Sequence, residues 1–158
     1  PDIGEGIVPD VVTSAKGIGG GIPLAATLTF GADVTKLLAP GEHGSTYSGN
    51  PVATAAGLAV LNVIERDGLL EHVRQTGEHL RNSLENLDGI TGVRGSGLLL
   101  SFEPAGGAKA FATSALTHGI IVNPATPERV RIAPPLIVTS SQIDEFIHSI
   151  PQIIQDIA

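Results

Sequence analysis

Three short stretches of this chain set reactive side chains among residues that would let them act. The first is "SAKGIGGGIP", Ser14 to Pro23, in which Lys16 stands between an apolar run and Gly17, Gly19, Gly20 and Gly21. The chain spends its only other lysines at Lys36 and Lys109. A turn lysine is ordinarily solvated. Here the residues before it are apolar, and the glycines after it let a flat group approach the backbone. An amine that starts from a desolvated strand end gives up its proton more readily and becomes a nucleophile toward aldehydes. The second stretch is "HGSTYSGNP", where Ser45 and Thr46 offer hydroxyl and amide donors suited to a phosphate. The same residues also suit a plain turn leading into a helix cap. The third is "VRIAPPL", in which Arg131 alternates with Val130 and Ile132 and so points away from them. Its planar fork fits a carboxylate, although an edge-strand arginine exposed to solvent would show the same pattern.

The glycines near Lys16 match neither common nucleotide loop. A dinucleotide fingerprint needs G-x-G-x-x-G opening a helix. Gly17 and Gly19 are followed by Ile22, and Gly19 and Gly21 by Leu24, with a strand-like run next. A Walker loop needs glycine before the lysine, and Ala15 stands there. A solvated turn lysine remains the plain reading; a desolvated amine there would condense with aldehydes, and pyridoxal 5'-phosphate is the commonest aldehyde cofactor. His43, His72, His79, His118 and His148 are scattered. His72 and His79 could share a helix face, but no carboxylate spacing accompanies them, so no metal is expected.

The elements that must carry these groups can be read in outline. "IVPDVVTSA" reads as a loop into a buried strand, and "PLAATLTF" as a second strand after the glycines. "LAPGEHGSTYSG" is a long polar turn region that ends at Asn50 and Pro51, a cap followed by a first-turn proline. The helix they open, "PVATAAGLAVLNVIERDG", is apolar all round, which predicts burial on every side, by a partner subunit or by other chain. From Leu69 to Leu87 the pattern turns amphipathic, with Leu69, Val73, Leu80, Leu84 and Leu87 on one face. After Asp88 and Gly89 come a strand in "GVRGSGLLLSFEP", a helix from Ala108 to His118, and strands in "IIVN" and "RVRIAPP". Last is a helix opened by a Thr139/Gln142 capping box, with Pro151 expected to kink it. Residues 88–158 are therefore expected to form a small α+β lobe, and residues 1–87 a separate region.

Composition narrows the function. Of 158 residues, 42% are hydrophobic and 16% charged, which describes a folded chain with apolar surface to spare for a partner. A net charge of −7 without a basic cluster argues against nucleic acid. No run is long enough to span a membrane. The absence of cysteine removes disulfides and thiolate metal sites, and a cytoplasmic setting is expected. The chain opens "PDIGEGIVPD", without methionine or a signal pattern, and reads as a fragment of something longer.

Four blocks in register carry a resemblance: "PDVVTSAKGIGGGIPLAA", "HGSTYSGNPVATAAGLAVL", "VRGSGLLLSFE" and "VRIAPPLIVT". From Pro9 to the C-terminus the chain resembles the class III pyridoxal-phosphate aminotransferases, closest to the branch that handles acetylornithine, succinylornithine and ornithine. The resemblance implies an α/β chain of fold type I, the aspartate aminotransferase-like architecture. Residues 1–87 would be the C-terminal part of the large cofactor domain and residues 88–158 the small domain. It implies pyridoxal 5'-phosphate as cofactor, a homodimer, and transfer of an amino group from N-acetylornithine to 2-oxoglutarate in arginine biosynthesis. Ornithine, succinylornithine or 4-aminobutyrate are the other donors it allows. A domain that kept the fold without catalysis is the remaining alternative. Lys16 matches the family's Schiff-base lysine. Thr46, with Ser45 beside it, matches the residue that reaches the cofactor phosphate of the neighbouring subunit. Arg131 matches the arginine near the substrate carboxylate, and Arg94 is expected to be structural. Ser96 and Ser48 depart from the basic residue and the glycine that relatives carry there. The family's stacking aromatic, its Asp for the ring nitrogen and its main phosphate cup lie upstream of the matched blocks. This chain alone is therefore expected to be inactive.

Overall fold

A computed structural model of the chain describes residues 6–37 and 40–157. Residues 1–5 and the Leu38–Ala39 start of the polar turn region lie outside the described residues. The chain forms two compact units, Pro1–Asp67 and Gly68–Ala158.

In the first unit, β1 (Val11–Ser14) pairs antiparallel with β2 (Ala26–Thr29), Val11 opposite Thr29 and Ser14 opposite Ala26. Between them lies a single 3-10 turn, Lys16–Gly19. A one-turn helix, α1 (Ala32–Thr35), follows, and then α2 (Pro51–Arg66). The α2 start forms as its sequence requires. The Asn50 side chain accepts from the Val52 and Ala53 amides at 3.0 and 3.1 Å, with Pro51 in the first turn. The predicted burial does not follow within this chain. Along α2 only Ala53 and Gly57 are buried, while Val52, Leu58 and Leu61 are 67%, 60% and 53% exposed. The strand expected to be buried, β1, alternates exposed and half-buried residues. The reason is that this unit holds few apolar groups facing one another.

The second unit closes its own core. Its elements are α3 (Leu69–Glu85), β3 (Ile90–Ser96), β4 (Leu99–Pro104), α4 (Ala108–Thr117), β5 (Asn123–Pro124), β6 (Val130–Ile132) and α5 (Ser140–Gln155). The sheet runs β3-β4-β6-β5, every pair antiparallel, with a bulge between Thr91 and Arg94. The single strand read in "GVRGSGLLLSFEP" is in fact a hairpin, because Gly97 takes a left-handed φ of +53° and turns the chain. Leu80 and Leu84 of α3, Phe102 of β4, Phe111 of α4 and Ile150 and Ile153 of α5 are all buried in one cluster. Phe102 and Phe111 meet edge to face, centroids 5.4 Å apart at 82°. The capping box forms: Gln142 N–H donates to the Thr139 hydroxyl, and its side chain accepts from the Thr139 amide. Pro151 is carried inside α5. This compact unit begins at Gly68, because α3 contributes its apolar face to its core.

Candidate active site

The turn that carries Lys16 is built by its glycines. Ala15 is extended, and Lys16 then takes φ +58°, the left-handed region. Among the described residues no other non-glycine residue does so. Such a conformation costs an L-residue roughly 1–2 kcal/mol and persists only where neighbours hold it. Here Gly20, also at φ +58°, donates its N–H to the Gly17 carbonyl at 3.1 Å, and Ile22 N–H reaches Gly19 at 3.0 Å. The Lys16 side chain is exposed, as is the preceding Ala15. The desolvation expected of it is therefore not supplied by the described residues, since β1 buries nothing fully.

Ser45 and Thr46 differ in how free their donors are. The Ser45 amide donates to the Ser48 hydroxyl at 3.0 Å, the two hydroxyls lie 3.1 Å apart, and Ser48 N–H returns to the Ser45 carbonyl at 3.1 Å. Ser48 thus closes the turn by taking up the Ser45 amide and pairing with its hydroxyl, a contact that sequence reasoning missed. A serine three residues from another in a turn is the signal that could have found it. Thr46 enters no hydrogen bond among the described residues, so both its amide and its hydroxyl remain open to an anion. Ser45 also faces a hollow of about 550 Å³ together with Pro23, Leu24, Tyr47, Asn50 and Val52; Lys16 and Thr46 do not line it.

Arg131 belongs to the second unit. It stands on β6 between buried Val130 and Ile132, opposite Ser101 on one side and Asn123 on the other. The alternation read from sequence holds, and the side chain is exposed. It borders a hollow of about 460 Å³ whose other walls include Leu80, Val122, Gln142 and Phe146. No ion pair or hydrogen bond engages its guanidinium among the described residues, so its fork is free for a carboxylate. Arg129, which sequence reasoning passed over, is spent on structure. It bonds the Gly92 carbonyl at 2.9 Å, the Ser101 hydroxyl at 3.1 Å and the Glu103 carboxylate. Its position just before β6, two residues ahead of Arg131, was the available signal.

The histidines that the sequence reads as ordinary make structural bonds. His79 meets Asp144 at 2.7 Å, His118 meets Asp156 at 2.8 Å, and His72 meets the Val138 carbonyl at 2.8 Å. No group of three or more His, Cys, Asp or Glu among the described residues could hold a metal. Each group is described within its own unit: in the first, Lys16 is an exposed primary amine of the kind that suits an aldehyde, and Thr46 has an open amide and hydroxyl of the kind that suits a phosphate; in the second, Arg131 has an unpaired guanidinium of the kind that suits a carboxylate.

Known proteins give these groups a context. The family model for aminotransferase class-III matches residues 3–154. An acetylornithine aminotransferase of Mycolicibacterium smegmatis is 48% identical over 157 residues, 98% of this chain and 40% of the relative. One of Streptomyces coelicolor is 45% identical over 98% of this chain and 39% of its own length. Among solved structures, the ornithine δ-aminotransferase of Plasmodium falciparum superposes with a TM-score of 0.83 at 31% identity, over 96% of this chain and 40% of that one. The acetylornithine aminotransferase of Elizabethkingia anophelis does so with a TM-score of 0.83 at 28% identity, over 95% of this chain and 40% of that one. The chain thus has the fold of the corresponding part of these enzymes and spans about 40% of the length of the relatives it matches. On its sequence from residue 3 to residue 154, and on its fold, this chain belongs to the class III aminotransferases.

Proposed function

We propose that this chain is part of a pyridoxal-phosphate-dependent transaminase that moves an amino group from N-acetylornithine to 2-oxoglutarate. The observation that carries the reading is Lys16: an exposed amine on a left-handed residue in a glycine turn, within a class III aminotransferase sequence. The choice of N-acetylornithine is supported by relatives of 45–48% identity named acetylornithine aminotransferase; the solved structures, an ornithine enzyme at 31% and an acetylornithine enzyme at 28%, do not separate the two donors. Ornithine, succinylornithine and 4-aminobutyrate remain the competing donors within this reading.

When bound, the cofactor supplies an aldehyde that takes up amino groups and a conjugated ring that accepts the electron pair released at the donor carbon. Lys16 would hold the cofactor at its aldehyde end through Nζ. Once freed, that amine would be the group placed to move the proton at the donor carbon. Thr46 would offer its Oγ1 and amide to the phosphate of the neighbouring subunit's cofactor, with Ser45 beside it held in place by Ser48. Arg131 orients the substrate by its carboxylate. The exposed apolar side of α2 is the kind of surface a homodimer covers, which supports a second subunit there. Without a partner for the ring nitrogen, this stretch of chain by itself is expected to be inactive. A cytoplasmic setting goes with the reading, and no helix of the described residues is long and apolar enough to cross a membrane.

The test is reductive trapping. The full-length protein is incubated with pyridoxal phosphate, reduced with borohydride, and the modified residue mapped. A single adduct on Lys16, sparing Lys36 and Lys109, is the expected result. Modification of all three alike, or none at Lys16, would overturn the assignment of the covalent amine.

A further inference from the structure

The first unit buries very little, and what it does bury lies at one seam. Gly19 of the turn and Ala53 and Gly57 of α2 are its buried residues among those described. The seam is tight because all its members are small. A side-chain carbon placed on Gly57 would fall 2.6 Å from Leu24 Cδ2 and 3.4 Å from the Ile18 carbonyl oxygen. One on Gly19 would fall 3.1 Å from Leu24 Cβ, and one on Gly20 2.9 Å from Val60 Cγ2. Leu24 therefore fills the space that Gly19 and Gly57 leave, and the backbone of α2 runs directly against the turn that begins at Lys16. That turn opens on a left-handed lysine, a conformation that needs external support.

We propose that Gly57, through Leu24, is a positioning residue for Lys16. The bare backbone at Gly57 lets α2 close on the glycine turn, and this contact holds the Lys16 backbone in its left-handed state and so aims its amine. The proposal rests on the reading of Lys16 as the covalent amine. A branched side chain at residue 57 exceeds what rotation of the Leu24 methyl can clear, meets the Ile18 carbonyl of the turn as well, and re-aims Lys16, although residue 57 itself touches no substrate or cofactor.

The experiment is the trapping assay on full-length Gly57→Val, with Gly57→Ala as the milder change and circular dichroism melting to confirm folding. Lys16 modification in Gly57→Val is expected to fall about tenfold relative to the parent, since displacements of an ångström at a reacting group cost at least that much. Gly57→Ala should fall between the two. Adding Leu24→Ala to Gly57→Val removes the methyl groups in the way and should return labelling to within about threefold of the parent, the signature of a coupled pair. Labelling of Lys16 unchanged in a folded Gly57→Val protein would overturn the proposal, as would a loss that Leu24→Ala fails to restore. If the parent itself does not label selectively at Lys16, the reading of Lys16 fails instead, and the two failures are separate in the data.

Discussion

The two units use similar residues to opposite ends. In the second, α3 carries a polar face and an apolar one, and its Leu80 and Leu84 disappear into a cluster with Phe102, Phe111, Ile150 and Ile153. Its buried hydroxyls are satisfied as well: Ser114 donates to the Ile153 carbonyl at 3.2 Å and Thr76 to the His72 carbonyl at 2.7 Å. In the first, α2 is the more apolar helix, yet its leucines remain at the surface. Apolar content thus does not make a core. A core needs facing apolar surface, and only the second unit brings that surface within its own stretch of chain. The unit bearing Lys16 and Thr46 depends on cover, whereas the unit bearing Arg131 is self-sufficient.

Leucine truncation in each unit is the strongest way to break this contrast. Leu84 is fully buried in the second core. Leu84→Ala should cost about 2–5 kcal/mol, the range for emptying a packed leucine site. Leu61→Ala, at a position more than half exposed, should cost under about 0.5 kcal/mol in the same chain. Urea unfolding followed by circular dichroism measures both, and equal losses would end the distinction between the units. Repeating Leu61→Ala in the full-length protein sharpens it: if that surface is covered there, the loss should climb to about 2 kcal/mol or more.

Glycine substitutions probe the same contrast at smaller scale. A side-chain carbon at Gly77 would lie 2.5 Å from the Gly97 carbonyl oxygen and 2.6 Å from its carbon. Both are backbone atoms of the β3–β4 turn, so neither can swing aside. Gly77→Ala should therefore destabilise the second unit by about 1–3 kcal/mol, the usual cost of overpacking. At Gly57 the first obstacle is only a leucine methyl, which can rotate away, so the alanine variant there should cost the fold less. A melting temperature for Gly77→Ala equal to that of the parent would mean that the hairpin turn yields, and that the second unit is less firmly built than its burial implies.

What could be read from sequence follows the range of the interaction. The Asn50 cap with Pro51 and the Thr139/Gln142 box were legible because each is settled within four residues. The apolar face of α3 was legible from periodicity. The place where α3 docks was not, since it does not follow from what α3 contains. The β3–β4 hairpin was hidden because its turn, Gly97 and Leu98, sits inside an apolar run. At the site, the residue types of Lys16, Thr46 and Arg131 could be singled out, and the outward direction of Arg131 followed from strand alternation. The left-handed backbone of Lys16, the use of the Ser45 amide by Ser48 and the seat that Gly57 and Leu24 provide all arise from contacts that no local pattern encodes.

The smallest expected effect concerns charge, and it divides the units once more. In the second, Asp156 at the end of α5 accepts from His118 at the end of α4 at 2.8 Å, and from Gln152 at 2.8 Å. The hydrogen bond from His118, followed by that from Gln152, holds the Asp156 carboxyl below its ordinary range. In the first, Asp67 is likewise held low by Arg66, its neighbour in sequence. A carboxyl whose folded pKa is depressed adds stability above its unfolded value, about 3.9 for Asp, and loses it as the pH falls through the folded value. The Asp156 contact spans two helices and is lost on unfolding, whereas Arg66 and Asp67 remain adjacent in an unfolded chain. Asp156→Asn should thus lower the urea midpoint slightly at pH 7, and the gap to the parent should close as the pH falls through the depressed folded value and the carboxyl protonates. Asp67→Asn should leave the midpoint unmoved throughout. The effect is small because the pair is exposed. A gap for Asp156→Asn that stays constant down to low pH would assign its loss to packing, and one that widens would reverse the sign argued here.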